Sequence, residues 1–366
     1  TSGTLDVDST FGHYLGEVSG YGTLRLDFGK LPAGNYDNFF ACDGGTMKYG
    51  GTSADYTISA EGSIFRRLVF VGSGTRTLPD NDFTVCDTLL IDGPTVDNSL
   101  NNNQITIRGL FKLQAGSFLS GTGSDATVIF DGSRPQQLFG DFTGVNALNN
   151  LTINTGNTVT LSQNITIENT LSLTEGIIMT DGNTVILPNT ASVNPDGGKA
   201  SSFISGAVQA DLDDGADFSF PIGKIDRYGK IELLNISTSG TQTWTGEYME
   251  QNPHPTYDTS SLSGDLKKVS GSQYWEVNSP AGDAKVRIRW DAESEINGLA
   301  VDTSNIRIAK WNSNTNTWVE KGSVTHGIGD SGTVETDSAL AFTNGETAIF
   351  TLASTTKDLA PSAAIT

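Results

Sequence analysis

The chain is poor in sulfur and in positive charge, and it has no long apolar run. Its 366 residues include only two cysteines, Cys42 and Cys86. Two cysteines cannot build a disulfide framework, and no Cys-x-x-Cys pair is present to hold a metal. They either form a single disulfide outside the cell or stay as two unpaired thiols. Alternation turns Val85 inward and Cys86 outward, which favours pairing over burial. Lys and Arg number 22 against 42 Asp and Glu, a net charge of −20. Such a surface repels nucleic acid and anionic membranes, so neither is expected as a partner. No apolar stretch approaches the roughly 20 residues needed to cross a bilayer, so membrane insertion is not expected either. Three Met and three His, with few Lys, give the composition of a secreted, extracellular protein. No leader-like segment opens the chain, and TSGTLDVDST already reads as folded sequence. A processed product, or a piece of something longer, is therefore expected.

What is present is alternation. From Leu148 to Val193, apolar residues take every second place within short runs: Leu151 and Ile153, Val159 and Leu161, Ile165 and Ile167, Leu171 and Leu173, Val185 and Leu187. Period two is the signature of strands with one face inward. Thr-Gly-Asn, Ser-Gln-Asn, Thr-Glu-Gly and Asp-Gly-Asn separate the runs and supply the corners. Strands this short must be covered by copies of themselves, which is the logic of a stacked coil. The 36% apolar content and 42 glycines suit such an extended all-β chain. The openings Gly3-Thr4, Gly22-Thr23 and Gly45-Thr46 recur at steps of 19 and 23 residues, the length of one solenoid rung. A longer repeat overlies this. Residues 46–92 match 127–173 at offsets of 81 to 83, which reads as a duplicated module of several rungs. Phe39, Phe40, Phe65, Phe70, Phe111, Phe118, Phe130 and Phe139 are expected as stacked core aromatics.

The repeat stops at Asn194-Pro195-Asp196-Gly197-Gly198-Lys199. The expected organisation is a solenoid over 1–200, a β-sandwich over 201–354 and a linker over 355–366. Nine longer strand-like runs follow Ser201, and all five Trp lie among them. Val286, Ile288 and Trp290 alternate with Lys285, Arg287 and Arg289, a half-buried strand with one basic face. The fold class is thus all-β, a right-handed parallel β-helix followed by an antiparallel β-sandwich.

TVIFDGSRPQQLFG, LNNLTINTGNTVTLSQNITIENTLSLTEG and DGNTVILP resemble the β-helical repeats of large secreted surface proteins of Bacteroidetes. SSFISG, FSFPIGK, GEYMEQNPHPTY, YWEV, VRIRWD, IRIAKWN with WVEKG, and AIFTLAS resemble the domain that often follows those repeats. The resemblance covers nearly the whole chain. It implies export by the type IX secretion system, with a C-terminal sorting domain that this sequence does not show. It implies no catalytic residues.

Carboxylates of the first segment are scattered, and Asp80 and Asp82 share a Pro-Asp-Asn-Asp turn. Arg66, Arg67 and Arg76 read as surface charge or a basic patch. His13, His254 and His326 lack partners at ligand spacing, and no nucleophile elbow, phosphate loop or zinc motif occurs. The best metal candidate is Asp211-Leu212-Asp213-Asp214-Gly215-Ala216-Asp217, with Asn194 and Asp196 a similar, weaker case. There Asp211, Asp213, Asp214 and Asp217 would offer calcium four carboxylates from a short loop; an acidic hairpin turn is the other reading. Calcium is the only cofactor the pattern allows. The function expected is that of a secreted cell-surface or extracellular structural protein of adhesin type, not an enzyme. Its solenoid would act as a rod or assembly element, with itself or cell-surface glycans as partners. The alternative is a carbohydrate-binding or polysaccharide-degrading β-helix. An exposed, coplanar Trp pair among Trp244, Trp275, Trp290, Trp311 and Trp318 would favour glycan binding.

Overall fold

The computed structural model describes residues 3–8, 12–53, 55–291, 293–294, 303–328 and 331–356. Beyond Thr356 the expected linker lies outside the described residues. Among them there is no α-helix, and the chain divides into two compact units. The first comprises Thr1–Ile186 with Thr190–Asn194, and the second Leu187–Asn189 with Pro195–Thr366.

The first unit is a β-solenoid of about ten turns. Its turns stack short strands into three parallel ladders, the first of them the longest. On the first face Thr4–Asp6 pairs with Thr23–Leu26, and that strand with Thr46–Tyr49. The ladder continues through Arg67–Phe70, Thr88–Ile91, Leu110–Leu113 and Gln137–Phe139. The second face carries Tyr56–Thr57, Thr75–Thr77, Thr95–Asp97 and Ser117–Leu119. The third stacks Phe83, Ile105, Val128, Leu151, Leu171 and Val193 in one column. Every apolar member named above for Leu148–Val193 is buried. The Gly-Thr openings pair in the expected register, Thr4 with Thr23 and Thr23 with Thr46. Glycine precedes the threonine because a Cβ at Gly22 would lie 2.7 Å from the Gly3 carbonyl oxygen. At one corner Gly51, Gly72, Gly93 and Gly116 lie above one another. All have positive φ, a conformation that costs other L-residues energy.

The longer repeat has a different meaning from the one expected. Thr46–Tyr49 lies on the first face, whereas its match Thr127–Phe130 lies on the third. Arg67–Phe70 and its match 150–153 are split in the same way. The offset spans roughly three and two-thirds turns, so it does not superpose rungs on rungs. The faces share one apolar alternation, and that shared pattern makes the segments alike.

The second unit is built of antiparallel strands. Ser202–Leu212 pairs with Gln242–Met249, then follow Tyr274–Ser279, Glu346–Ser354, Ile306–Asn312 and Thr317–Gly322. A second set runs Phe218–Phe220, Ile231–Ser237, Gly282–Trp290, Ser331–Glu335 and Val324–Ile328. All nine strand-like runs fall within these or overlap them. Trp244 of the first set meets Phe342, which pairs beside Gly282–Trp290, edge to face at 5.1 Å. Trp244, Trp275, Trp290 and Trp318 are fully buried.

Candidate functional site

Outward side chains of the first face form a groove of about 420 Å³ across five turns of the solenoid. Ladder register produces it. One outward column runs Thr4, Thr23, Thr46, Arg67 and Thr88; the next runs Arg25, Lys48, Val69 and Leu90. The inward neighbours Leu24, Met47, Leu68 and Leu89 are buried and fix the strands beneath it. Parallel ladders hold successive turns about 4.8 Å apart, so like positions recur at that interval.

The groove's ions are mostly paired. Arg25 bridges Asp6 at 2.8 Å and Asp27 at 2.9 Å. Arg67 holds Asp87 at 2.7 Å, with Arg66 3.8 Å from the same carboxylate. Arg66 also lies over the Tyr21 ring at 5.8 Å. Lys48 makes no ion pair among the described residues. The site therefore offers guanidinium and ammonium donors, carboxylate acceptors and hydroxyls that serve as both. Val69 and Leu90 add an apolar patch on two neighbouring turns. The recurrent Gly-Thr openings in the sequence were the signal for the threonine column, but alternation alone does not say which outward face is concave.

The acidic loop of the second unit does not gather its carboxylates. Asp211 accepts from the Thr243 hydroxyl at 2.6 Å, and Asp213 from the Thr241 hydroxyl. Asp214 accepts from the Thr238 amide at 3.0 Å, and Asp217 from the Asn235 amide at 2.7 Å. Each carboxylate accepts a hydrogen bond from a turn or a neighbouring strand through one oxygen. Among the described residues no group of three or more His, Cys, Asp or Glu side chains is placed to hold a metal ion.

Cys42 and Cys86 form a disulfide, with Cα atoms 5.3 Å apart. Asp82 accepts from the Gln104 amide at 2.7 Å on the next rung, and Asp55 from the Thr75 amide at 2.6 Å. These acids hold turns together. Arg76 corrects the reading of a surface cation, because it is fully buried. Its Nη2 donates to the carbonyls of Gly50 at 2.6 Å, Gly51 at 2.9 Å and Ser73 at 3.0 Å, and its guanidinium lies 4.4 Å from the centre of the Tyr56 ring. Burial pushes the Tyr56 hydroxyl up to about 12, although Arg76 pulls the other way.

The tryptophans do not make a platform. Trp311 alone is half-buried, and it meets buried Trp318 at an interplanar angle of 67° with Tyr257 against both. His254 lies in a loop, joined to Pro255 by a cis peptide bond, and stands 3.8 Å from Asp258. His326 lies 3.6 Å from Glu335 in a surface ion network. Comparison with protein-family models, curated proteins and solved structures gave no match.

Proposed function

We propose that the chain is a secreted cell-surface or extracellular structural protein of adhesin type, with the solenoid as its rod or assembly element. The observation that carries this reading is the unbroken stacking of inward columns through about ten turns. A coil of that kind is a sum of near-identical neighbour contacts, so it extends without needing a central core. The disulfide adds a covalent tie suited to an oxidising compartment. In this reading the coil is right-handed, the hand favoured where parallel strands are joined by crossovers. The two antiparallel sets of the second unit form the layers of a sandwich. The resemblance to Bacteroidetes surface proteins supports export by the type IX route.

Analytical ultracentrifugation with electron microscopy of the purified chain tests the assembly role. End-to-end or lateral multimers that grow with concentration are expected. A monomer at every concentration would exclude self-assembly. A second reading, that the protein binds carbohydrate, is favoured by the groove on the first face.

A further inference from the structure

We infer that the first-face groove takes an uncharged, extended, β-linked polysaccharide chain lying along the coil axis. This deepens the adhesin reading by naming what the solenoid would hold. It does not depend on whether the solenoid assembles with itself.

Three observations converge on this ligand class. The first is periodicity. Thr23, Thr46 and Arg67 are register partners on successive turns, so a hydrogen-bonding group recurs about every 4.8 Å. A polymer whose own repeat lies near that interval can meet an equivalent group with each residue. Extended β-linked hexose chains have such a repeat, and a compact small molecule would use only one turn. The second is the mixture of groups. Pyranose rings present hydroxyls at their edges and C–H bonds on their faces. Thr23 and Thr46 can donate and accept, and Arg67 with its partner Asp87 places donor and acceptor side by side. Val69 and Leu90 give the ring faces an apolar patch on two neighbouring turns. The third is charge. Of the groove's cations, Arg25 is offset by Asp6 and Asp27 and Arg67 by Asp87, and Lys48 alone stands without an ion pair among the described residues. The chain as a whole carries −20. A polyanion would approach against that field with little local attraction in return. An uncharged glycan meets neither cost.

Isothermal titration calorimetry with cellohexaose, mannohexaose and chitohexaose tests the inference, with cellotriose and hexagalacturonate as comparison probes. At least one neutral hexasaccharide is expected to bind, and cellotriose more weakly, because the subsites repeat by turn. Hexagalacturonate is expected to bind least. Thr46→Val and Arg67→Gln should each weaken the neutral hexasaccharide by about fivefold, the worth of one lost hydrogen bond. Both positions point outward, and an unchanged melting curve would show that the variants fold. Lys321→Gln in the second unit serves as a control and should leave binding unchanged. The inference is overturned if no neutral hexasaccharide binds, if affinity does not rise with length, if hexagalacturonate binds as well, or if the folded groove variants keep full affinity. Failure here with assembly intact would remove the ligand and leave the structural role. The converse result would leave a carbohydrate-binding solenoid that does not assemble.

Discussion

At the scale of single residues, the side chains that hold this protein together are polar ones placed where apolar ones would be expected. Arg76 occupies an inward position of the second face and gathers carbonyl groups from two successive corners, Gly50-Gly51 and Ser73. Removing it takes one donor from each of those carbonyls, but Gly50 keeps the Tyr56 hydroxyl and Gly51 the Ser73 amide, so the cost is about 1–3 kcal/mol in total. Arg76→Met is therefore expected to destabilise the solenoid by about 1–3 kcal/mol, read from the denaturant midpoint. Arg76→Lys should not rescue it, since the shorter side chain does not carry its ammonium to the place of Nη2 and loses the planar contact with the Tyr56 ring. Charge alone made Arg76 look like a surface residue; its place between Thr75 and Thr77, both outward, was the overlooked signal. In the second unit Glu335 is nearly buried, and burial alone would raise its carboxyl. Hydrogen bonds from Lys285 at 3.0 Å and Arg287 at 2.6 Å outweigh that and hold it below the usual range. A depressed carboxylate gives stability that is present above its unfolded value, about 4.3. That stability is lost as pH falls through the folded value. Glu335→Gln should lower the melting temperature of the second unit at neutral pH and flatten its decline on acidification below that value. An unchanged acid profile in calorimetric scans would contradict the assignment.

At the scale of elements, rung and corner were legible for different reasons. Strands follow from period-two alternation, and the Gly-Thr openings marked rungs because a stacked corner leaves no room for a side chain. The offset between 46–92 and 127–173 was misleading because all three faces obey the same inward pattern. Nothing in the apolar residues distinguishes one face from another. The disulfide was legible only as one of two outcomes. Outward placement of Cys86 was visible, but the path that brings Cys42 to it was not. It closes a separation of 44 residues, for which loop-closure entropy predicts about 4 kcal/mol of stabilisation. Cys42→Ser is expected to lower the denaturant midpoint of the first unit accordingly, and reduction with dithiothreitol should reproduce the change. No further loss should follow when the reductant is added to the variant. The acidic loop from Asp211 to Asp217 shows what composition leaves unsaid. Four carboxylates in seven residues say nothing of direction, and here hydroxyls and amides of neighbouring strands take each one.

At the scale of the whole molecule, the sequence carried the fold class better than the site. The solenoid and the later strands repeat their signals many times, so errors at one rung are corrected by the next. The groove is written once, in the outward positions, where the fold imposes little. Its threonines could be read, but its concavity depends on register across five turns. The structural and glycan-binding readings both require that register, since it lines up the inward columns and spaces the outward groups. Pulsed electron–electron spin resonance between outward sites of the third face measures it directly. Ile64, Thr84, Thr106, Ile129, Thr152 and Ser172 are successive register partners. Spin labels at Thr84 and Ser172, four rungs apart, should lie about 19 Å from each other, and at Ile64 and Ser172, five rungs apart, about 24 Å. Separations that grow by one rung spacing per step would establish the stacked coil. Separations that do not follow the rung count would contradict it, and the rod and the groove would fall together.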